Sequence, residues 1–131
     1  MTDHPNALRM RRAVERFMSG DMEGFLSNFA DDVVWRTGGH NALTGVRRGR
    51  DEVGRWFRSW DAKTGGSHMI ELVDVLADEQ HLVVFLRIKA DREDASLNVK
   101  VANAFRLGPD GSWKESWWLA DDQEAVDRFF S

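Results

Sequence analysis

The stretch that decides the fold is His68-Met69-Ile70-Glu71-Leu72-Val73-Asp74-Val75-Leu76-Ala77, then Asp78-Glu79-Gln80, then His81-Leu82-Val83-Val84-Phe85-Leu86-Arg87-Ile88-Lys89-Ala90. Two β-prone runs flank a short polar turn, the pattern of a hairpin. In the second run Leu82, Val84, Leu86 and Ile88 alternate with their neighbours and are all apolar, so one face of that strand is buried. Working downstream, residues 95–107 read as a third strand, entered through Asp91-Arg92-Glu93-Asp94. Gly108-Pro109-Asp110-Gly111 makes the next turn, and residues 112–119 form the last strand. Asp121-Asp122-Gln123-Glu124 resembles a capping box for a terminal helix that buries Ala125, Val126, Phe129 and Phe130.

Upstream the period changes from two to 3.6. Ala7, Met10, Val14 and Phe17 share one helix face after Pro5, which suits a first helical position, and Ser19-Gly20 stops the helix. Asp21 caps a shorter helix with Met22, Phe25, Leu26 and Phe29 inward. Val33-Val34-Trp35 is a short strand, and residues 37–49 are read as loop. A third helix starts near Arg50 or Asp51, carries the stripe Val53, Trp56, Phe57 and Trp60, and ends at Lys63-Thr64-Gly65-Gly66. Helices followed by consecutive strands give an α+β class. With 131 residues and no repeat or linker, residues 1–131 form one domain.

Composition narrows the function. The chain is 42% hydrophobic and 31% charged, with two Pro, so it folds rather than staying disordered. It has no Cys, which excludes a disulfide framework, thiolate zinc sites and a cysteine nucleophile. His4, His40, His68 and His81 are widely spaced, so no metal site is expected, and no glycine-rich phosphate loop implies a nucleotide cofactor. A net charge of −4 argues against nucleic acid as a partner. No apolar run is long enough for a membrane span, and Met1-Thr2-Asp3-His4 does not open a signal peptide, so a cytoplasmic protein is expected. The arginines at 9, 11, 12, 16, 47, 48 and 50 read chiefly as a solvated face.

Alternation then assigns faces. Leu97, Val99, Val101, Phe105 and Leu107 share the inner face of the third strand, interrupted by Asn103. Trp113, Trp117 and Leu119 are the matching set in the last strand, interrupted by Glu115. A buried amide or carboxylate without a partner costs several kcal/mol, so each needs a hydrogen-bonding group, a water or a ligand. On the outer face Val73, Val75, Val83, Phe85, Ala102, Ala104 and Trp118 gather inside a charged rim, which suggests a homodimer through the sheet.

The segment Asp21-Met22-Glu23-Gly24-Phe25-Leu26 leads to Phe29-Ala30-Asp31-Asp32-Val33-Val34-Trp35. Leu43-x-Gly45-x-x-x-Gly49-Arg50-Asp51-Glu52-Val53 and the ending Trp117-Trp118-Leu119-Ala120-Asp121-Asp122-Gln123 follow. Together they resemble the nuclear transport factor 2-like superfamily, in its SnoaL-like and ketosteroid-isomerase-like branch, over essentially the whole chain. The resemblance implies a cystatin-like roll in which a curved, mostly antiparallel sheet wraps the N-terminal helices into a cone. It also implies dimers through the sheet and an apolar pocket at the wide end for a small apolar ligand. Trp35, Trp56, Trp60 and Trp117 would line that pocket with Met10 and Phe17 from the first helix, and Asn103, Glu115 and His40 would supply its polar groups.

The resemblance also limits the chemistry. The ketosteroid isomerase constellation needs a carboxylate base and a Tyr. Here the base position aligns with Thr37 and the chain has no Tyr. An epoxide-hydrolase-like Asp-Arg-Asp set fails because Arg87 falls on the outer face. What remains is cofactor-free proton transfer on an apolar carbonyl-bearing or ring compound, as in a polyketide cyclase, an isomerase or a hydrolase. Glu115, its pKa raised among Trp rings, is the expected acid/base, assisted by His40. The alternatives are a non-catalytic ligand-binding module and a protein-interaction domain of the same fold.

Overall fold

Helix α1 (Pro5–Met18) starts where proline fixes the first turn, and His4 caps it through Nδ1, which accepts from the Asn6 N–H at 3.1 Å. The structure, a computed structural model, describes residues 3–131; Met1 and Thr2 of the leader reading lie outside the described residues. Ala7, Met10, Ala13 and Val14 form the buried stripe of α1. Helix α2 (Met22–Leu26) is capped by Asp21, whose carboxylate accepts from the Gly24 N–H at 2.9 Å. Strands β1 (Phe29–Thr37) and β2 (Gly45–Arg48) precede α3 (Gly49–Thr64). Helix α3 ends at Gly65 with φ 62°, a left-handed cap that favours glycine.

The remainder runs β3 (Met69–Ala77), β4 (His81–Arg92), β5 (Ala95–Leu107), β6 (Trp113–Ala120) and α4 (Gln123–Phe129). One curved sheet has the order β2-β1-β6-β5-β4-β3. Every neighbouring pair is antiparallel except β1 and β6, which run parallel. The helices pack into the concave side, as the α+β reading expected.

Two of the expected placements change. Strand β2 was read as loop because four residues carry too little pattern; it forms by pairing Gly45–Arg48 against Val34 to Thr37 of β1. The faces of β3 and β6 also change partway along. In β3 the register slips between Leu72, opposite Leu86, and Asp74, opposite Phe85, so Val73 is an extra residue. In β6 Trp113 sits opposite Leu107 and Glu115 opposite Arg106, so Lys114 is the extra residue. Each bulge reverses the alternation beyond it. Val75 therefore turns inward and Leu76 outward. Ser116 and Trp118 turn inward, whereas Glu115, Trp117 and Leu119 turn outward.

The core is densely aromatic. Phe29 meets Trp113 edge-on at 4.8 Å, and Phe25 meets Phe57 at 5.0 Å. The Trp35 ring lies 4.9 Å from Trp56, inclined at 56°, and 5.1 Å from Phe57, edge-on at 61°. Such edge-to-face pairs add specific geometry to the burial of large rings.

Candidate functional site

Between α1, α3 and the concave face of the sheet lies an apolar cavity of about 60 Å³. Helix α1 contributes Met10, Val14 and Phe17; α3 contributes Trp56, Phe57 and Trp60; the strands contribute Ile70, Val84, Asn103 and Trp118. Free space of that size holds roughly four water-sized sites. The half-buried Phe17, His68 and Ile70 form part of its wall.

Asn103 is the polar group on the sheet wall. It is 5% exposed, and its Nδ2 donates to Ser116 Oγ at 2.6 Å and to the Trp117 carbonyl at 3.0 Å. A carbonyl can only accept, so this second bond fixes which end of the amide is nitrogen. Both amide hydrogens are spent on the protein, and Oδ1 receives no protein donor among the described residues. The cavity thus has a hydrogen-bond acceptor in an apolar surround. His68 is the second polar group, brought beneath the end of α3 by the Gly65-Gly66 turn. Its ring packs 6.4 Å from Trp60 and 6.3 Å from Phe17, and its Nδ1 lies 3.2 Å from Asp61 Oδ1. Three other buried atoms find no partner: Trp35 Nε1, Thr37 Oγ1 and Trp60 Nε1.

Of the residues expected at the pocket, Met10, Phe17, Trp56, Trp60 and Asn103 come together on its wall. Trp35 is fully buried behind that wall, against Trp56. Trp117 lies on the convex face, where the Arg36 guanidinium sits 5.1 Å above its ring, and Trp118 takes the pocket position instead. Glu115 is likewise on the convex face, between Arg106 (Nε to Oε1, 2.7 Å) and Arg36 (Nη1 to Oε2, 2.8 Å). Those bonds, from Arg106 first and Arg36 second, hold its carboxyl below the usual range, the reverse of the upward shift expected among Trp rings. The Lys114 bulge is the physical reason for both corrections.

His40 is also away from the cavity. It is exposed in the loop after β1, where its backbone N–H donates to Asp127 Oδ1 at 2.9 Å. Asn41 Nδ2 and Gln123 Nε2 donate to the same oxygen, tying that loop to α4. Sequence spacing missed His68 and Trp118. A helix end followed by Gly-Gly, which returns the chain under the helix, was the available signal for His68.

The arginine-rich segments are largely occupied structurally. Arg9 donates to Asn28, Arg11 pairs with Asp3, and Arg50 donates to the Phe29 carbonyl. Among the described residues no group of three or more His, Asp or Glu is placed to hold a metal ion. Among the described residues no helix is long and apolar enough to cross a membrane.

Comparison with known proteins agrees with this architecture. The SnoaL-like domain model matches residues 10–116. An uncharacterised protein of Mycobacterium tuberculosis is 31% identical over 103 residues, covering 78% of this chain and 79% of the relative. The structure of Bal32a, from a soil-derived mobile gene cassette, superposes with a TM-score of 0.90 at 28% identity, covering 96% of each chain. RV0760c from Mycobacterium tuberculosis, solved in complex with estradiol-17beta-hemisuccinate, superposes with a TM-score of 0.72 at 17% identity, covering 92% of this chain and 98% of that one. With most of its length matched by the domain model and its helix-filled curved sheet shared with these structures, the chain belongs to the SnoaL-like family.

Proposed function

We propose that this chain binds a small, flat, mostly apolar ring compound in its concave cavity and carries out cofactor-free proton transfer on it. The observation that carries the reading is Asn103 Oδ1, an acceptor with no protein donor among the described residues, on a wall that apart from His68 is aromatic and aliphatic. Apolar walls with a few placed polar groups suit ligands that need one oriented contact. A superfamily neighbour crystallised with a steroid ester supports the ligand class. This reading assigns no role to Glu115 or His40, because neither lines the cavity.

Titrating ring compounds, including steroids and polyketide-like carbonyls, against intrinsic Trp fluorescence tests the reading. Saturable quenching that Trp60→Phe or Trp118→Phe reduces is the expected result. A flat response across the panel would mean that the aromatic rings simply fill the cone.

The convex face supports a second part of the proposal, a homodimer. Val73 and Leu76 are each 57% exposed and Leu119 is 55% exposed, around Phe85 and Ala102. An apolar patch of this kind on a sheet is a self-association surface. Sedimentation should give twice the chain mass, and Leu119→Glu should return it to a monomer.

A further inference from the structure

The cavity wall carries one imidazole, His68, which the sequence reading placed at the start of a strand run and assigned no role. We propose that His68 is the proton acceptor of this site and that Asp61 is its positioning residue. The inference rests on the ligand-binding reading above and adds the group that does the chemistry.

Four observations support it. His68 lines the cavity, with its side chain only 14% exposed. Its Nδ1 is buried and makes no aligned hydrogen bond, yet Asp61 Oδ1 stands 3.2 Å away. Asp61 is the last carboxylate of α3 and is 56% exposed, free to rotate the small angle that aligns it. Loosely aligned pairs of this kind tighten when ligand binds. Finally, Nδ1 is the buried ring nitrogen and the one that faces Asp61, which leaves Nε2 as the nitrogen for a ligand. The other neighbours of the imidazole, Phe17 of α1 and Trp60 of α3, are uncharged, and Asp61 is the one carboxylate recorded against it.

The arrangement assigns the roles. A carboxylate at Nδ1 keeps the proton on that nitrogen and leaves Nε2 bare as the base. The ligand's acidic O–H, or a C–H beside its carbonyl, gives its proton to Nε2. The bonding pair stays on the ligand as an enolate or phenolate, and the imidazolium is balanced by Asp61. The same proton returns at the end of the step, so no oxidant or co-reactant is consumed. A ligand carrying an acidic O–H or C–H at one end and a hydroxyl toward Asn103 Oδ1 fits both polar groups.

The test uses 4-nitrophenol, a phenol whose anion absorbs visible light, at a pH where the free dye is mostly neutral. Trp quenching reports binding and the visible band reports the proton. The wild type should bind and show the anion band. His68→Gln should still quench but lose the band, and Asp61→Asn should bind with a weaker band. Nitrogen-15 NMR of the free protein should show the proton on Nδ1 of His68, shifting toward Nε2 in Asp61→Asn. Quenching without an anion band in the wild type, or a full band in His68→Gln, overturns the role of His68 while leaving the pocket intact. Absence of quenching in the wild type overturns the pocket reading itself, and this proposal with it.

Discussion

The two faces of the sheet handle polar groups in opposite ways. On the convex face Glu115 is saturated, with each carboxylate oxygen bonded to an arginine and Arg36 in turn lying on Trp117. On the concave side polar atoms are few, and among the described residues Trp35 Nε1, Thr37 Oγ1, Trp60 Nε1 and His68 Nδ1 are buried without a hydrogen-bond partner. Exposed ion pairs are screened and contribute little, whereas a buried group lacking a partner is costly. The costly arrangement is therefore the informative one. It is on the concave face that the proposed ligand would find polar atoms to meet.

The contrast can be broken most severely at the concave core. Trp35→Ala removes a fully buried ring that supports Trp56 and Phe57, and should cost about 3–5 kcal/mol in urea unfolding. Asn103→Ala strips Ser116 Oγ and the Trp117 carbonyl of their donor and should cost about 1–3 kcal/mol. A loss no larger than that of an exposed substitution would show that Asn103 is not buried as described.

Acid sharpens the comparison on the polar side. Asp127 is held below its ordinary range chiefly by the His40 N–H and then by Asn41. A carboxyl depressed in the folded state stabilises it above the unfolded pKa, and that stability fades as pH falls from about 4 downward. Asp32, Asp78, Asp110 and Glu115 are depressed in the same sense. Stability should therefore drop in this acid window, and Asp127→Asn, which keeps the accepting oxygen but cannot titrate, should flatten the slope. Thermal melts between pH 3 and 6 measure it.

Smallest of all is the expected effect of Glu115→Gln. It should leave the melting temperature nearly unchanged and the response of the cavity to ring compounds intact. Loss of that response would overturn the assignment of the two faces.

Much of the fold is visible in the residues themselves. The stripes Ala7-Met10-Val14 and Val53-Trp56-Trp60, and the alternation of Leu82-Val84-Leu86-Ile88, each belong to one period and need no tertiary information. Asp21 and Asp122 cap α2 and α4 by local hydrogen bonding, again within a few residues. The site depends on what periodicity does not encode. Nothing in Trp113-Lys114-Glu115-Ser116-Trp117-Trp118 announces that Lys114 is an extra residue, because the bulge arises from pairing with β5 and β1 together. Asn103 was legible because β5 runs without interruption through its position, and Glu115 was misread because β6 does not. The approach of His68 to Asp61 spans a turn and joins the residue just before β3 to a helix, so neither period reveals it.

The parallel contact between β1 and β6 carries a consequence for how the molecule comes into being. Arg36 lies beside Trp117, so the edge made by β1 and β2 has no inner neighbour until synthesis has passed β6, about 80 residues later. Closing so long a loop delays the reward of non-local pairing. Until then the Phe29–Trp35 segment stays open to the wrong strand, and refolding should be slow and sensitive to protein concentration. Loss of β6 would leave two half-sheets with nothing to join them.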